Sequence, residues 1–237
     1  MIARVSLCAS LAALLLAPAG AFAQNDHNAH AWFNYFGDHP IPGTKVEVHL
    51  EAQVRRAELG ASPQQLLLRP GLNLQVNKTV VISGGYGFVE TWPYGQFPAK
   101  HRFPEHRTFE QLQLTPHAAG LDWQNRIRLE QRHIGGLSKR YENRLRYMLR
   151  TNVPLRKSKK YYVALYDEVF INFGDQVAFN TFDQNRAYTA LGLNLPRKTR
   201  FEAGFLEQTV QHRDGRVFEH NHTLQVALYS KLPFGTP

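Results

Sequence analysis

From residue 45 onward the polarity of the side chains alternates with a period of two, and this alternation is renewed in segment after segment of the chain. Successive side chains of an extended strand point to opposite faces, whereas a helix brings a face round every ~3.6 residues. In residues 45–56, Val46, Val48, Leu50, Ala52 and Val54 share one face, and Glu47, His49, Glu51, Gln53 and Arg55 share the other. Residues 121–132 repeat the rule with Leu121, Trp123, Ile127 and Leu129 against Asp122, Gln124, Arg126, Arg128, Glu130 and Arg132, with Asn125 an exception on the apolar face. Residues 140–151 do so again, with Tyr141, Leu145, Tyr147 and Leu149 opposed to Arg140, Glu142, Arg144, Arg146 and Arg150. One face of such a strand suits lipid and the other suits water.

Further strands are expected over 65–76, 78–90, 105–115, 160–173, 184–195, 199–211 and 219–234, making ten. Each reaches the ~9 to 11 residues with which a tilted strand crosses a bilayer, and exceeds the ~5 to 6 residues of an ordinary globular strand. The connections alternate as well. Compact ones at 77, 116–120, 152–159 and 196–198 interleave with those at 57–64, 91–104, 133–139, 174–183 and 212–218, as short periplasmic turns alternate with longer external loops in outer-membrane barrels. The pattern predicts an all-β chain closed into an antiparallel transmembrane β-barrel of about ten strands over 45–237, with twelve as the alternative and a soluble β-sandwich as the competing architecture. Both termini then fall on the periplasmic side. Residues 24–44 fit less well: 32–36 could form one short extra strand, and an eleventh strand breaks the even count of bacterial single-chain barrels.

The first residues bear on the compartment. Arg4 supplies a positive start, residues 5–17 an apolar run, and Ala21-Phe22-Ala23 a small-residue cleavage pattern, so 1–23 reads as a signal peptide and Gln24 as the mature start. The apolar run is shorter than the ~20 residues of a membrane-spanning helix. The single cysteine, Cys8, lies within this segment, so the mature chain carries neither disulfide nor thiol nucleophile. The mean hydropathy is negative although 43% of residues are hydrophobic and 12% aromatic, as expected where lipid-facing and lumen-facing residues alternate. A formal charge of +9 would suit nucleic acid, but export to the outer membrane of a Gram-negative cell makes lipids and lipopolysaccharide phosphates the available polyanions. Aromatics on the apolar face fall at strand ends, with Trp123, Tyr161 and Phe201 at the periplasmic ends and Tyr141 and Phe173 at the outer ends, as two interfacial girdles would require.

Several motifs together resemble a known family. Arg69-Pro70-Gly71-Leu72, Gly85-Tyr86, Glu105-His106-Arg107 followed by Gln111, and Arg126-Ile127-Arg128-Leu129-Glu130-Gln131-Arg132 come in that order. They are followed by Arg144-Leu145-Arg146, Glu168 with Phe170 and Asn172, and Gln184-Asn185-Arg186 with Tyr188. In this the chain resembles, over nearly its whole mature length, the bacterial outer-membrane family called domain of unknown function 2490. The resemblance implies an uncharacterised β-barrel and adds little about activity.

On the inward face the strands bring together a charged belt toward their outer ends: Arg55, Arg69, Glu105, Arg107, Gln111, Arg128, Glu130, Arg132, Glu142, Arg144, Glu168, Gln184, Arg186 and Gln208. Glu130 should meet Arg144, and Glu142 should meet Arg132, across adjacent strands. A ten-stranded barrel has little interior to spare, since eight strands hold only side chains or one small ligand and wide channels need ~16. The belt is then either a filled polar core or, with more Arg than Glu, a constriction or binding site for small anionic solutes in a porin-like channel. No catalytic residue, cofactor or metal is expected. His27, His30 and His39, and His220 with His222, read as exposed loop or terminal histidines, without a cysteine partner and with few carboxylates nearby. A lipid-modifying enzyme is the further alternative, with His106 beside Glu105 as its one acid and imidazole pair; adjacent strand residues face opposite sides, which separates them.

Overall fold

The computed structural model describes residues 24–136, 139–155 and 160–233; the expected signal peptide and most of the charged turn at 156–160 lie outside them. The strands are β1 (Gln24–Pro40), β2 (Val46–Ala57), β3 (Ser62–Gln75), β4 (Val80–Thr91), β5 (Phe103–Leu114), the two-residue β6 (His117–Ala118), β7 (Leu121–Ile134), β8 (Arg140–Pro154), β9 (Tyr161–Phe173), β10 (Phe182–Leu195), β11 (Thr199–Gln211) and β12 (Val217–Ser230). A single turn of 3-10 helix, Glu58–Gly60, joins β2 to β3. Each long strand pairs with its neighbours in sequence; β5 pairs with β7 past the small β6 hairpin, and β1 pairs with β12 to close the ring.

The closing pair corrects the expected architecture. Residues 24–40 are not a short appendage but the longest strand, so the barrel has eleven strands rather than ten or twelve. Strands that run alternately up and down make the first and last of an odd set point the same way, so an odd barrel must close on a parallel pair. β1 and β12 are that pair, in register from Gln24 opposite Val217 to Gly37 opposite Ser230. The termini are corrected by the same fact. Gln24 donates its N–H to the Arg216 carbonyl at 2.9 Å, at the end that carries loops 92–102 and 174–181, whereas the chain leaves β12 at the opposite end, where 76–79 and 196–198 make tight turns.

The alternation of β1 explains both its position and its illegibility. Asp26, His30 and Asn34 turn inward with Trp32 and are buried, while the outward side offers Ala29, Ala31, Phe33 and Tyr35. Small alanines and the outward His27 blunt the contrast between the faces. Around the barrel the outer face exposes many apolar side chains, Phe33, Leu72, Ile82, Ile127, Leu145, Leu191 and Leu224 among them, together with some polar pairs such as Glu110 with Gln131 and Asp167 with Asn185. Asn125, the exception on the apolar face, stays outward and accepts a hydrogen bond from the Tyr147 hydroxyl at 2.8 Å. Tyr161 and Phe201 stand exposed near the short-turn end, and Tyr141 and Phe173 near the long-loop end.

The glycines of β3 and β4 have a packing reason. Gly71 faces Gly85 across the two strands, and Phe109 of β5 turns its buried ring over the gap they leave. A methyl group at Gly85 would stand 2.8 Å from the Phe109 ring, and one at Gly71 would stand 2.8 Å from the Gly84 carbonyl. Overpacking of this kind costs about 1–3 kcal/mol. Gly85→Ala should therefore lower the midpoint of urea unfolding by that equivalent, whereas Gly120→Ala, whose added methyl meets nothing within 4 Å, should suffer only from its positive φ.

Candidate functional site

The centre of the lumen is organised around one carboxylate. Glu130, on the inward face of β7, has no exposure to solvent. Its Oε2 accepts from Arg144 at 2.9 and 2.5 Å and its Oε1 accepts from Arg146 at 2.7 Å, both from β8. Arg69 reaches it across the lumen from β3 at 3.5 Å, and Arg107 and Arg128 stand at 3.9 Å. Five guanidiniums thus converge on one buried carboxylate. Their charge is shared outward: Arg69 also donates to Glu51 at 2.5 Å, Arg144 to Asp183 at 2.8 Å, and Arg146 to Glu168 at 2.9 Å. The aromatic faces of Phe109 and Phe170 support the cluster, with Arg128 4.7 Å from the first ring centroid and Arg146 4.4 Å from the second.

Nearer the long loops, Glu105 of β5 accepts from Arg107 at 2.9 Å and from Arg132 at 2.6 Å. Glu142 faces Arg132 in register but at 3.8 Å, and lies closer to Arg140 at 3.1 Å. Glu130 faces Arg144 in the same ladder, so period-two reading of β7 and β8 locates both pairs. Toward the short turns, Arg126 and Arg146 share Glu168, and Arg128 donates to Gln111 at 2.6 Å. One wall is apolar, where Trp32, Tyr162, Ala164, Tyr188, Ala190 and Leu206 pack together.

This layer separates two cavities. The one at the long-loop end, about 170 Å³, is lined by Arg55, Arg69, Glu105, Arg107, Arg132, Arg144, Gln184, Arg186 and Gln208 among others. The one at the short-turn end, about 200 Å³, is lined by Gln111, Arg128 and Glu168, and also by Arg186. Glu130 and Glu142 are buried between and beside them. The belt is therefore not confined to the outer ends of the strands, and spans the height of the lumen. Glu51, Gln53, Arg146 and Arg186 line both cavities, so the two adjoin at these side chains.

The mouth at the long-loop end is roofed by residues 92–102. Tyr94 dips inward, donates its hydroxyl to Glu219 at 2.9 Å and meets the buried His30 ring edge-on at 5.2 Å. Asp26 anchors the same loop by accepting the Gln96 N–H at 3.2 Å. Burial pushes the Tyr94 phenol above its ordinary range. Beside it, the Glu219 carboxylate hydrogen-bonded to His212 raises that imidazole, with burial opposing. The expectation of exposed histidines is corrected for His30, which is fully buried and hydrogen-bonded to Asn221 at 3.1 Å, and for His39, which is also buried and bonded to the Leu232 carbonyl at 2.7 Å. β1 carries both, and its inclusion in the barrel is what buries them. His27 and His222 do stand exposed, on the outer surface, with His220 half-buried beside them. Glu105 points into the lumen and His106 outward to the Tyr86 hydroxyl, so the two do not cooperate.

Asp183 and the inward side chains of β1 join the site without having been singled out in the sequence, whereas Glu51, Arg126 and Arg146 join it as polar-face residues not counted in the expected belt. For Arg146 and Arg126 the signal was present, since each sits two residues from a belt member on the same strand face, and Glu51 shares its polar face with Arg55 four residues on. For Trp32 and His30 it required knowing that β1 closes the ring.

A family model described as "Protein of unknown function (DUF2490)" matches residues 29–219. An uncharacterized protein of Methylorubrum extorquens (strain AM1) is 29% identical over 228 residues, which cover 92% of this chain and 95% of the relative. No solved structure matches.

Proposed function

The chain belongs to the DUF2490 family, and from that premise and the geometry of its lumen we propose that it is an outer-membrane barrel, held closed at mid-height, that takes up small anionic solutes at its outer vestibule and has a transport or envelope role without catalysis. Three features support the membrane reading: a closed ring without free strand edges, an exposed apolar outer face, and strands of 12 to 17 residues. Closed barrels satisfy every backbone group internally, as a bilayer demands. The long loops then face the exterior, lipids and lipopolysaccharide surround the wall, and Tyr161, Phe201, Tyr141 and Phe173 lie at the two interfaces.

The observation that carries the closed state is the burial of Glu130 among five guanidiniums between two separate cavities. Planar-bilayer recording of the refolded barrel tests it. No stable conductance is expected, together with heat-modifiable migration in detergent. Continuous open steps would overturn the closed state, and isolation as a soluble periplasmic monomer would overturn the membrane reading.

A second reading, a narrow anion-preferring channel with a gate, is favoured by the side chains that the two cavities share. Arg146 and Arg186 border both cavities, so displacing them would connect the two. That reading expects rare, small, anion-selective openings whose frequency rises when Arg146 and Arg186 are both replaced by shorter residues.

A further inference from the structure

Among the guanidiniums lining the long-loop cavity, two stand apart. Arg69, Arg107, Arg132, Arg140, Arg144 and Arg146 each have a carboxylate oxygen within 4.0 Å; among the described residues Arg55 and Arg186 have none. Both are held instead by neutral amides. Arg55 donates to Gln53 and Gln65 at 2.6 Å each, and Arg186 to Gln184 at 3.1 Å. An amide oxygen orients a guanidinium but brings no formal negative charge of its own. Both side chains are buried, and the Arg186 Nε has no hydrogen-bond partner. They are also brought together: Trp32 carries Arg55 at 3.9 Å and Arg186 at 5.1 Å from its ring centroid, so the two cations are within about 9 Å of each other.

Two like charges that line one cavity with no carboxylate of the described residues in ion-pair range are unfavourable when the site is empty, and Glu168, in register opposite Arg186, is already engaged by Arg126 and Arg146. The forked donors of arginine match the oxygens of carboxylates and phosphates. We infer that the long-loop cavity binds a small oxyanion, of the phosphate or carboxylate class, between Arg55 and Arg186. The inference rests on the reading of this cavity as a solvent-facing vestibule, and it names the residues and the ligand chemistry that reading leaves open. The other guanidiniums lining this cavity each have a carboxylate oxygen within 4.0 Å.

The test uses the mature barrel refolded in detergent. Trp92→Phe with Trp123→Phe leaves Trp32 as the one tryptophan, reporting directly on the ring that both arginines approach. Titration at constant ionic strength with inorganic phosphate, and separately with acetate, should give a saturable change in Trp32 emission for at least one of them, while chloride gives none; the anion that saturates identifies the class. Arg55→Gln and Arg186→Gln should each weaken binding about tenfold or more, as loss of a charge-assisted hydrogen bond does. Together they should abolish it. Neither change strands a carboxylate, so the barrel should still migrate as folded. A measurement independent of variants is the unfolding temperature of the parent protein, which should rise with the same anion because only the native state binds it. A heat-modifiable barrel that shows neither saturable emission nor stabilisation with phosphate or acetate overturns the inference, as does binding unchanged in the double variant. Loss of heat-modifiable migration in the parent would instead overturn the membrane-barrel reading on which it rests.

Discussion

Removal of Gln24–Pro40 from the mature chain is expected to abolish the heat-modifiable barrel altogether. β1 is in register with β12 from Gln24 to Gly37 on one edge and with β2 from Ala31 to Pro40 on the other. Its loss exposes two rows of backbone donors and acceptors, and on the outer-membrane reading proposed above each unsatisfied group in hydrocarbon costs several kcal/mol. β2 and β12 run in opposite directions and could in principle meet to make a ten-stranded ring. That ring would lose the buried Trp32, which shields Arg55 and Arg186 and donates to Gln64 at 2.8 Å, and would lose Asp26, the anchor of the loop over the mouth. It would also have to hold the full set of inward arginines in a smaller circumference. Aggregation of the truncated chain, or migration unaffected by heating, is the expected outcome in detergent refolding. A folded truncated barrel would show that closure does not depend on the parallel pair.

The second large effect is expected at Glu130. Glu130→Gln keeps the shape of the side chain but removes the negative charge that Arg144, Arg146, Arg69, Arg107 and Arg128 surround. Breaking a buried pair by removing one partner typically costs about 3–5 kcal/mol. The loss here should lie at the upper part of that range, because several cations lose one shared counter-charge. It should appear as a fall in the free energy of unfolding measured by urea titration in detergent or liposomes. Glu110→Gln is a suitable control, since Glu110 faces outward and accepts from Gln131 at 2.9 Å outside this cluster. Equal stability of the two variants would mean that the central layer is not what holds the lumen shut. The pair of effects also separates the two kinds of lumen arginine: neutralising Glu130 destabilises the barrel, whereas neutralising Arg55 and Arg186 should not.

Much of the fold was legible in the chain because side-chain alternation is a local property. Val46 to Val54 and Glu47 to Arg55 announce the two faces of β2 without any knowledge of its neighbours, and the same holds for β7 and β8. Once two adjacent strands are joined by a short connection, their register follows, and so Glu130 opposite Arg144 could be anticipated from residues 121–151 alone. The carboxylate and guanidinium belt was legible for the same reason, but of the connections expected to be long only 92–102 and 174–181 are longer than the turn at 41–45.

Closure was not a local property. Whether residues 24–40 extend the sheet depends on where β12 ends, nearly 200 positions later, and the parallel pairing follows from the parity of the whole ring. An assumption of even parity therefore misplaced Gln24, left Trp32 unassigned and read His30 as exposed. The chemistry of the lumen is non-local as well. Arg69 and Glu130 meet across the interior from β3 and β7, and Arg55 of β2 and Arg186 of β10 both approach Trp32 of β1. The amino-acid sequence by itself determined which residues face inward, because strand geometry sends alternate side chains to one side. Only the tertiary structure decided which inward charges pair with one another and which arginines of the long-loop cavity, Arg55 and Arg186, have no carboxylate of the described residues in ion-pair range, because that depends on distances across a closed ring that no strand specifies alone.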